Sequence, residues 1–416
     1  MCIKNLFVLF SSCFRDKIQQ ESNALSVIKN LANKKFGPIL LLPLLIHIVG
    51  LAANGLVLYA LDLGSSAYDI ATISIVGSTM ELAILLPTGF FSDRYGRKKM
   101  LLISQLLLFI GDSIRLMASK PWHLLAASFF GVGGISETLS LVASFVGDLA
   151  IEPLERVSVT NAVYFCSSLG MVVGPTVAGI LLLCVKIKML FYISFFLRLG
   201  FVLYILFIIK EPRQIKAEKN SSYKTSLVNL IKNRNMLAAI SVQIFLFAML
   251  STENTFMPIL ARGNFSLSDS QIVSLRSVRN LANLLFRLFS NEIFNRIKYK
   301  RLIILLFAVS SPTFFAIPFS TNYGQLLALY FVWGFCFGGL YLLSGVVTSL
   351  VSDRSNRGAA FALNSFSSAS GNLSSIIMAP IASAIGVSFV FNIGAMLPII
   401  PILLVYKLMA GNKQIG

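Results

Sequence analysis

Four carboxylates, Glu81, Asp112, Glu137 and Glu253, lie inside long apolar stretches of the 416-residue chain. A charge at the centre of a bilayer costs at least ~2.5–3.5 kcal/mol, so each needs a partner or a water-filled cavity. Loss of water also makes a carboxylate hold its proton more tightly, which suits it to take and release protons near neutral pH. Glu137 is the first candidate for a proton carrier and Glu81 the second, with Glu253 and His47 as further candidates. The competing reading of each is a structural ion pair. Arg276, Arg279 and Arg287 stand at i, i+3 and i+11, within roughly 80° of one another on a helix. Guanidinium groups gathered on one face would attract a carboxylate or phosphate. Alternatively, Arg276 and Arg287 reach opposite interfaces while Arg279 pairs with Glu253. Arg276, Arg279 and Asn364 are the candidates for contact with a substrate. Asp112 and Arg115, three residues apart, are expected to pair, whereas Arg198 has no evident partner in the sequence.

Helices must carry these groups. Hydrophobic residues make up 56% of the chain and charged residues 12%, against roughly 25% charged in soluble domains. The apolar runs are continuous and about 20 residues long, enough for a helix to cross ~30 Å of hydrocarbon. Spans are predicted near 38–60, 67–90, 99–118, 122–147, 157–183, 188–209, 235–260, 269–290, 301–319, 323–350, 358–385 and 388–409. The expected organisation is a cytoplasmic tail (1–37), a six-helix bundle (38–210), a basic linker (211–234), a second six-helix bundle (235–410) and a short tail (411–416). Twelve spans put both termini on one side, and that side would hold 26 of the 35 Lys and Arg residues. Such a bias marks it as the cytoplasm.

Three of the spans have a polar stripe: Ser74, Gly77, Ser78 and Glu81; Gly133, Glu137, Ser140 and Ser144; Asn364, Ser367, Ser368, Gly371 and Ser375. They read either as the lining of a shared cavity or as polar helix packing. Two isolated histidines and five cysteines without paired spacing exclude a multi-histidine metal site, and no cofactor is expected. Basic residues confined to short loops argue against nucleic acid as a partner. The lipid bilayer and a small-molecule substrate are the expected partners.

The halves echo each other. Gly133-Gly134 precede Asp148 by the same distances as Gly338-Gly339 precede Asp353, and Arg156 and Arg357 share an offset of 201 with Gly170 and Gly371. After the second span comes Gly89-x3-Asp93-Arg94-x-Gly96-Arg97-Lys98-Lys99, where Gly96 can supply a tight turn. The fifth span contains Gly170-x3-Gly174-Pro175-x3-Gly179, with glycines for close helix approach and a proline for a kink.

These motifs, with the span count and the repeat, resemble the major facilitator superfamily over about residues 38–410. The resemblance implies an all-α membrane fold of two pseudo-symmetric six-helix bundles acting as a monomer. It also implies a latch in which Asp93 and Arg97 work with Asp148 at the cytoplasmic gate. The fifth-span motif is similar to the family's antiporter motif, with Ala178 replacing one glycine. Ala127 and Phe130 stand where many family exporters carry a proton-coupling Arg and a Gln, so the resemblance supplies no such arginine here. The expected function is proton-coupled export of a small organic solute by alternating access in the plasma (inner) membrane. The alternative is organic-anion uptake or exchange through the arginines of the eighth span. A membrane enzyme or a non-transporting sensor is a remote alternative, since no motif for intramembrane catalysis is found.

Overall fold

The structure, a computed structural model, describes residues 33, 35–131, 135–149, 153–211, 230–352 and 357–409. The side chains of Asp93, Glu137, Asp148 and several neighbours lie outside the described residues, as do the tail 1–32 and most of the linker.

Every regular element among the described residues is helical. Span 1 comprises α1 (Gly37–Val49), a 3-10 turn (Leu51–Gly55) and α2 (Leu56–Asp62); α3 (Ala67–Tyr95) is span 2 and α4 (Arg97–Leu116) span 3. Span 4 is made of α5 (Pro121–Ser128) and α6 (Ile135–Leu149), span 5 of α7 (Pro153–Leu181) and span 6 of α8 (Ile187–Phe207). In the second half, α9 (Arg234–Gly263) is span 7, α10 (Asp269–Leu288) with α11 (Ser290–Arg296) span 8, and α12 (Tyr299–Ala316) span 9. The chain ends with α13 (Tyr323–Val351) as span 10, α14 (Arg357–Asn372) and α15 (Ser375–Ala384) as span 11, and α16 (Val387–Met396) and α17 (Ile399–Leu408) as span 12.

Helix starts follow local chemistry. Ser66 and Asp69 form a capping box at the head of span 2, and Ser268 and Gln271 do the same for span 8. Asn233 and Asn322 cap spans 7 and 10 through their side-chain oxygens. Gly96, at φ 106°, ends span 2 in a conformation that favours glycine. Span 2 therefore runs five residues further than predicted, and Asp93 and Arg94 belong to its last turn rather than to a loop.

Among the described residues, eight helices are long and apolar enough to cross a membrane on length and composition alone. Spans 3, 4, 8 and 11 fall short of that test. Spans 4 and 11 are divided, and spans 3 and 8 carry charged residues along their length. Among the described residues, Gln105 and Asp112 of span 3, Arg279, Asn280 and Asn283 of span 8, and Asn364 and Ser367 of span 11 are buried, which makes them tolerable there.

The repeat is visible in the packing. Gly170 in span 5 lies against span 1, where an added Cβ would sit 2.9 Å from the Leu44 carbonyl oxygen. Its counterpart, Gly371 in span 11, lies against span 7, where a Cβ would sit 2.3 Å from the Ile244 carbonyl oxygen.

Candidate functional site

Span 8 is a polar helix, and its side chains stitch gaps in neighbouring spans. Pro175 in span 5 has no N–H, so the Met171 carbonyl four residues earlier loses its helical donor. Asn280 of span 8 fills the vacancy, its Nδ2 donating to Met171 O at 2.6 Å. Pro258 likewise frees the Asn254 carbonyl in span 7, and Arg276 Nη2 donates to it at 3.1 Å. The other terminal nitrogen of Arg276 reaches the Asn54 carbonyl at 3.4 Å, within the 3-10 turn that interrupts span 1. Ser270 Oγ donates to the Gly179 carbonyl at 2.7 Å.

The arginines predicted to bind substrate thus have different surroundings. Arg279 forms a buried ion pair with Glu253, which also accepts from the Trp333 indole at 3.0 Å. Arg276 is occupied by backbone carbonyls. Arg287, the third arginine of the predicted anion-attracting face, has neutral partners: Ser168 Oγ at 2.9 Å, Asn283 Oδ1 at 3.2 Å, and the Tyr341 ring with its centroid 5.6 Å away. Asn364, the third predicted substrate contact, is buried and accepts from Ser344 Oγ at 3.0 Å between spans 10 and 11. His47 sits against Ser167 at 3.2 Å, in the notch left by Gly170 and Gly174. Glu81 is part-buried along span 2. The side chain of Glu137 lies outside the described residues.

The structure supplies the partners of Arg198 that the sequence did not show. Its Nε donates to Asp112 Oδ2 at 3.0 Å and its Nη1 to Gln105 Oε1 at 3.0 Å. Arg115 takes the other Asp112 oxygen at 2.9 Å, as its spacing predicted. This chain of bonds ties spans 3 and 6, and Gln105 extends it to Thr138 in span 4. Sequence separation hid the partner, because Asp112 and Arg198 lie 86 positions apart.

At the face carrying the loop between spans 1 and 2, Arg262 bridges the halves. Its Nη1 donates to Asp62 at 2.6 Å and its Nη2 to Asp269 at 2.6 Å. At the opposite face, Glu211 receives the Lys98 amide at 3.1 Å and so caps the start of span 3. It fills the space beside Gly96, where a Cβ would lie 2.9 Å from its carboxyl. Arg97 donates to Ser92 Oγ at 2.5 Å, and Lys98 Nζ to the Leu206 carbonyl at 2.8 Å. The predicted Asp93 and Asp148 contacts of this motif lie outside the described residues; Gly89 and Lys99 are helical, at the end of span 2 and the start of span 3. Among the described residues, no group of three or more His, Cys, Asp or Glu side chains comes together in a way that could hold a metal ion.

Known proteins agree with this architecture. The sequence profile of the Major Facilitator Superfamily matches residues 39–275 and 242–411. Over 177 residues the chain is 25% identical to an uncharacterized transporter, BU466, of Buchnera aphidicola subsp. Acyrthosiphon pisum (strain APS), covering 42% of this chain and 44% of that protein. The aligned stretch is thus less than half the length of that relative. Over 298 residues it is 24% identical to multidrug resistance protein 2 of Bacillus subtilis (strain 168), covering 68% of this chain and 72% of that protein. Its fold matches the crystal structure of the nucleoside transporter NupG with a TM-score of 0.74 at 16% identity, over 91% of this chain and 100% of that one. It also matches a bacterial homolog of the human lysosomal transporter Spinster, in an inward-facing and unoccupied conformation, with a TM-score of 0.71 at 10% identity, over 90% and 95% of the two chains. Helix order, internal repeat and sequence profile converge, and the chain belongs to the Major Facilitator Superfamily as a multi-pass membrane transporter rather than an enzyme.

Proposed function

We propose that the protein exports a small organic solute in exchange for protons, by alternating access between its two halves. The observation that carries this reading is the placement of hydrogen bonds between the halves. Asp62–Arg262, Asn54–Arg276 and Gly179–Ser270 lie toward the loop 1–2 face, with Met171–Asn280 deeper along the same seam. A few polar bonds along one seam can break and re-form as rigid bundles rock, which suits a two-state carrier. The spacing of Gly170, Gly174, Pro175 and Gly179, and the similarity to a multidrug resistance protein, support export by exchange. Glu137 and Glu81 are the proposed proton carriers. The Asp93–Arg97–Asp148 latch is proposed for the gate opposite the Arg262 bridge. Both termini are placed in the cytoplasm, the protein in the plasma (inner) membrane, and the working unit is a monomer.

Reconstitution into liposomes with an imposed pH gradient tests the reading. Movement of a solute from a panel of lipophilic cations, neutral compounds and organic anions is expected to follow the gradient. Glu137→Gln should abolish that coupling without lowering the unfolding temperature, and normal coupling in the variant would remove Glu137 from the mechanism. Organic-anion exchange is the second reading, and it is favoured by one observation: Arg287 is surrounded by neutral partners.

A further inference from the structure

Arg287 occupies the place where spans 8 and 10 part. Nearer the loop 1–2 face these helices touch through glycine: a Cβ at Gly334 would lie 2.1 Å from the Arg279 carbonyl oxygen, and one at Gly338 2.7 Å from Asn283 Oδ1. One turn past Tyr341, a Cβ at Gly345 would meet nothing within 4 Å. The guanidinium therefore sits at the mouth of a wedge. Across the seam, Tyr164 of span 5 is 40% exposed and stands one helical turn before Ser168, whose hydroxyl donates to the Tyr164 carbonyl at 2.9 Å while accepting from Arg287. Behind Tyr341 the wall is aromatic, with Phe337 stacked at 6.1 Å and 3° and Phe247 at 5.9 Å between ring centroids.

A guanidinium in a low-dielectric setting gains most from an anionic acceptor. Its sister arginines are already committed, Arg279 to a carboxylate and Arg276 to carbonyls freed by breaks in neighbouring helices. Among the described residues, Arg287 has no carboxylate within ion-pair distance. The Ser168 hydroxyl is an acceptor that an incoming anion can replace.

We propose that Arg287, Tyr164 and Tyr341 form a subsite for the carboxylate of an aromatic organic acid, with Phe337 and Phe247 receiving its ring. The inference rests on the transporter reading and names its substrate class. The carboxylate accepts from Arg287 and from the two phenols, and it displaces Ser168. Since Ser168 belongs to one half and Arg287 to the other, filling the subsite changes a contact between the halves.

The test uses the purified full-length protein and three probes of one shape: benzoate, neutral benzamide and cationic benzylamine. A ligand that binds the folded state raises the unfolding temperature. Benzoate is expected to do so saturably, and the other two are not. Arg287→Gln should weaken benzoate about tenfold or more, Arg287→Lys should keep part of the affinity, and Ser168→Ala, which removes the acceptor benzoate must displace, should strengthen it. Tyr164→Phe, at an exposed position, provides a second variant and should weaken benzoate severalfold if Arg287→Gln does not fold. Equal stabilisation of wild type and Arg287→Gln by benzoate would overturn the subsite. So would stabilisation by benzamide or benzylamine but not by benzoate. The two readings fail separately. Gradient-driven movement of another solute without benzoate binding removes only the substrate class. Arg287-dependent benzoate binding without gradient-driven movement removes only proton exchange.

Discussion

Pro175 and Asn280 are 105 positions apart yet describe one interaction. The proline removes a donor from inside span 5, and the asparagine restores one from span 8. A buried carbonyl left without a donor costs about 1–3 kcal/mol. Asn280→Leu should therefore lower stability by about that amount, while in a Pro175→Ala background, where the helical N–H returns, it should cost much less. Equal costs in both backgrounds, measured by thermal or denaturant unfolding in detergent, would refute the pairing. The same logic joins Pro258 to Arg276 through the Asn254 carbonyl. The residue types of the site were legible in the sequence, but their partners were legible only in part. The pairing of Arg279 with Glu253 was one of two readings of the spacing, and it is the one present. Arg276 was read as an anion binder or an interfacial arginine, whereas it serves helix breaks in two neighbouring spans. The usable signal was a proline inside a span, because each one frees a carbonyl four residues earlier. Nothing in the sequence stated which helix would answer it.

At the scale of elements, glycine position decides how closely helices approach. A Cβ at Gly174 would lie 2.6 Å from the His47 carbonyl oxygen, a backbone atom that moves only with the whole of span 1. At Gly179 the nearest atom would be 3.6 Å away, an ordinary contact. Gly174→Ala is expected to destabilise by about 1–3 kcal/mol through overpacking, whereas Gly179→Ala should be close to neutral. Reversal of that order in unfolding measurements would show that the motif is not needed for packing of spans 1 and 5. Element existence was legible because apolar runs near the length of a bilayer crossing are hard to mistake. Their interruptions were not. The 3-10 turn at Leu51–Gly55 and the break between α14 and α15 both fall inside predicted spans, although Gly50 and Asn54-Gly55 stand at the first and Gly371-Asn372 at the second. Tertiary donors hold the freed carbonyls: Arg276 reaches Asn54, and Ser251 Oγ donates to Asn372 at 2.8 Å. Such donors come from distant positions, so the local glycine and asparagine mark a break without showing what satisfies it. The end of span 2 was misplaced for a related reason, since the charged residues Asp93 and Arg94 resemble a loop while their backbone completes a helical turn.

For the whole molecule, the proposed alternating access makes the Arg262 bridge between the halves a contact to test. Arg262, in the last turn of span 7, binds Asp62 of one half while holding Asp269 of its own. The planar guanidinium can serve two carboxylates at once, which a lysine ammonium does less well. Side-chain exposures of 31% and 42% for Arg262 and Asp62 place the pair in partly solvated surroundings. Its worth is then about 0–1 kcal/mol, too little to hold the fold but enough to shift a balance between two states of similar energy by up to roughly fivefold. Asp62→Asn should leave the unfolding temperature nearly unchanged and raise the population open at the loop 1–2 face. Distance distributions between spin labels at the outer ends of spans 1 and 7 would report the shift. Salt gives an independent check, because the screening length falls from about 8 Å at 0.15 M to about 3 Å at 1 M. High salt should move the wild-type distribution toward the open state and leave that of Asp62→Asn almost unmoved. Arg262→Lys should fall between them, keeping the charge but losing the fork. If Asp62→Asn and the wild type give the same distributions at both salt concentrations, the bridge does not set the balance. The weight of closing that face then falls on the hydrogen bonds Arg276 and Ser270 donate to Asn54 and Gly179.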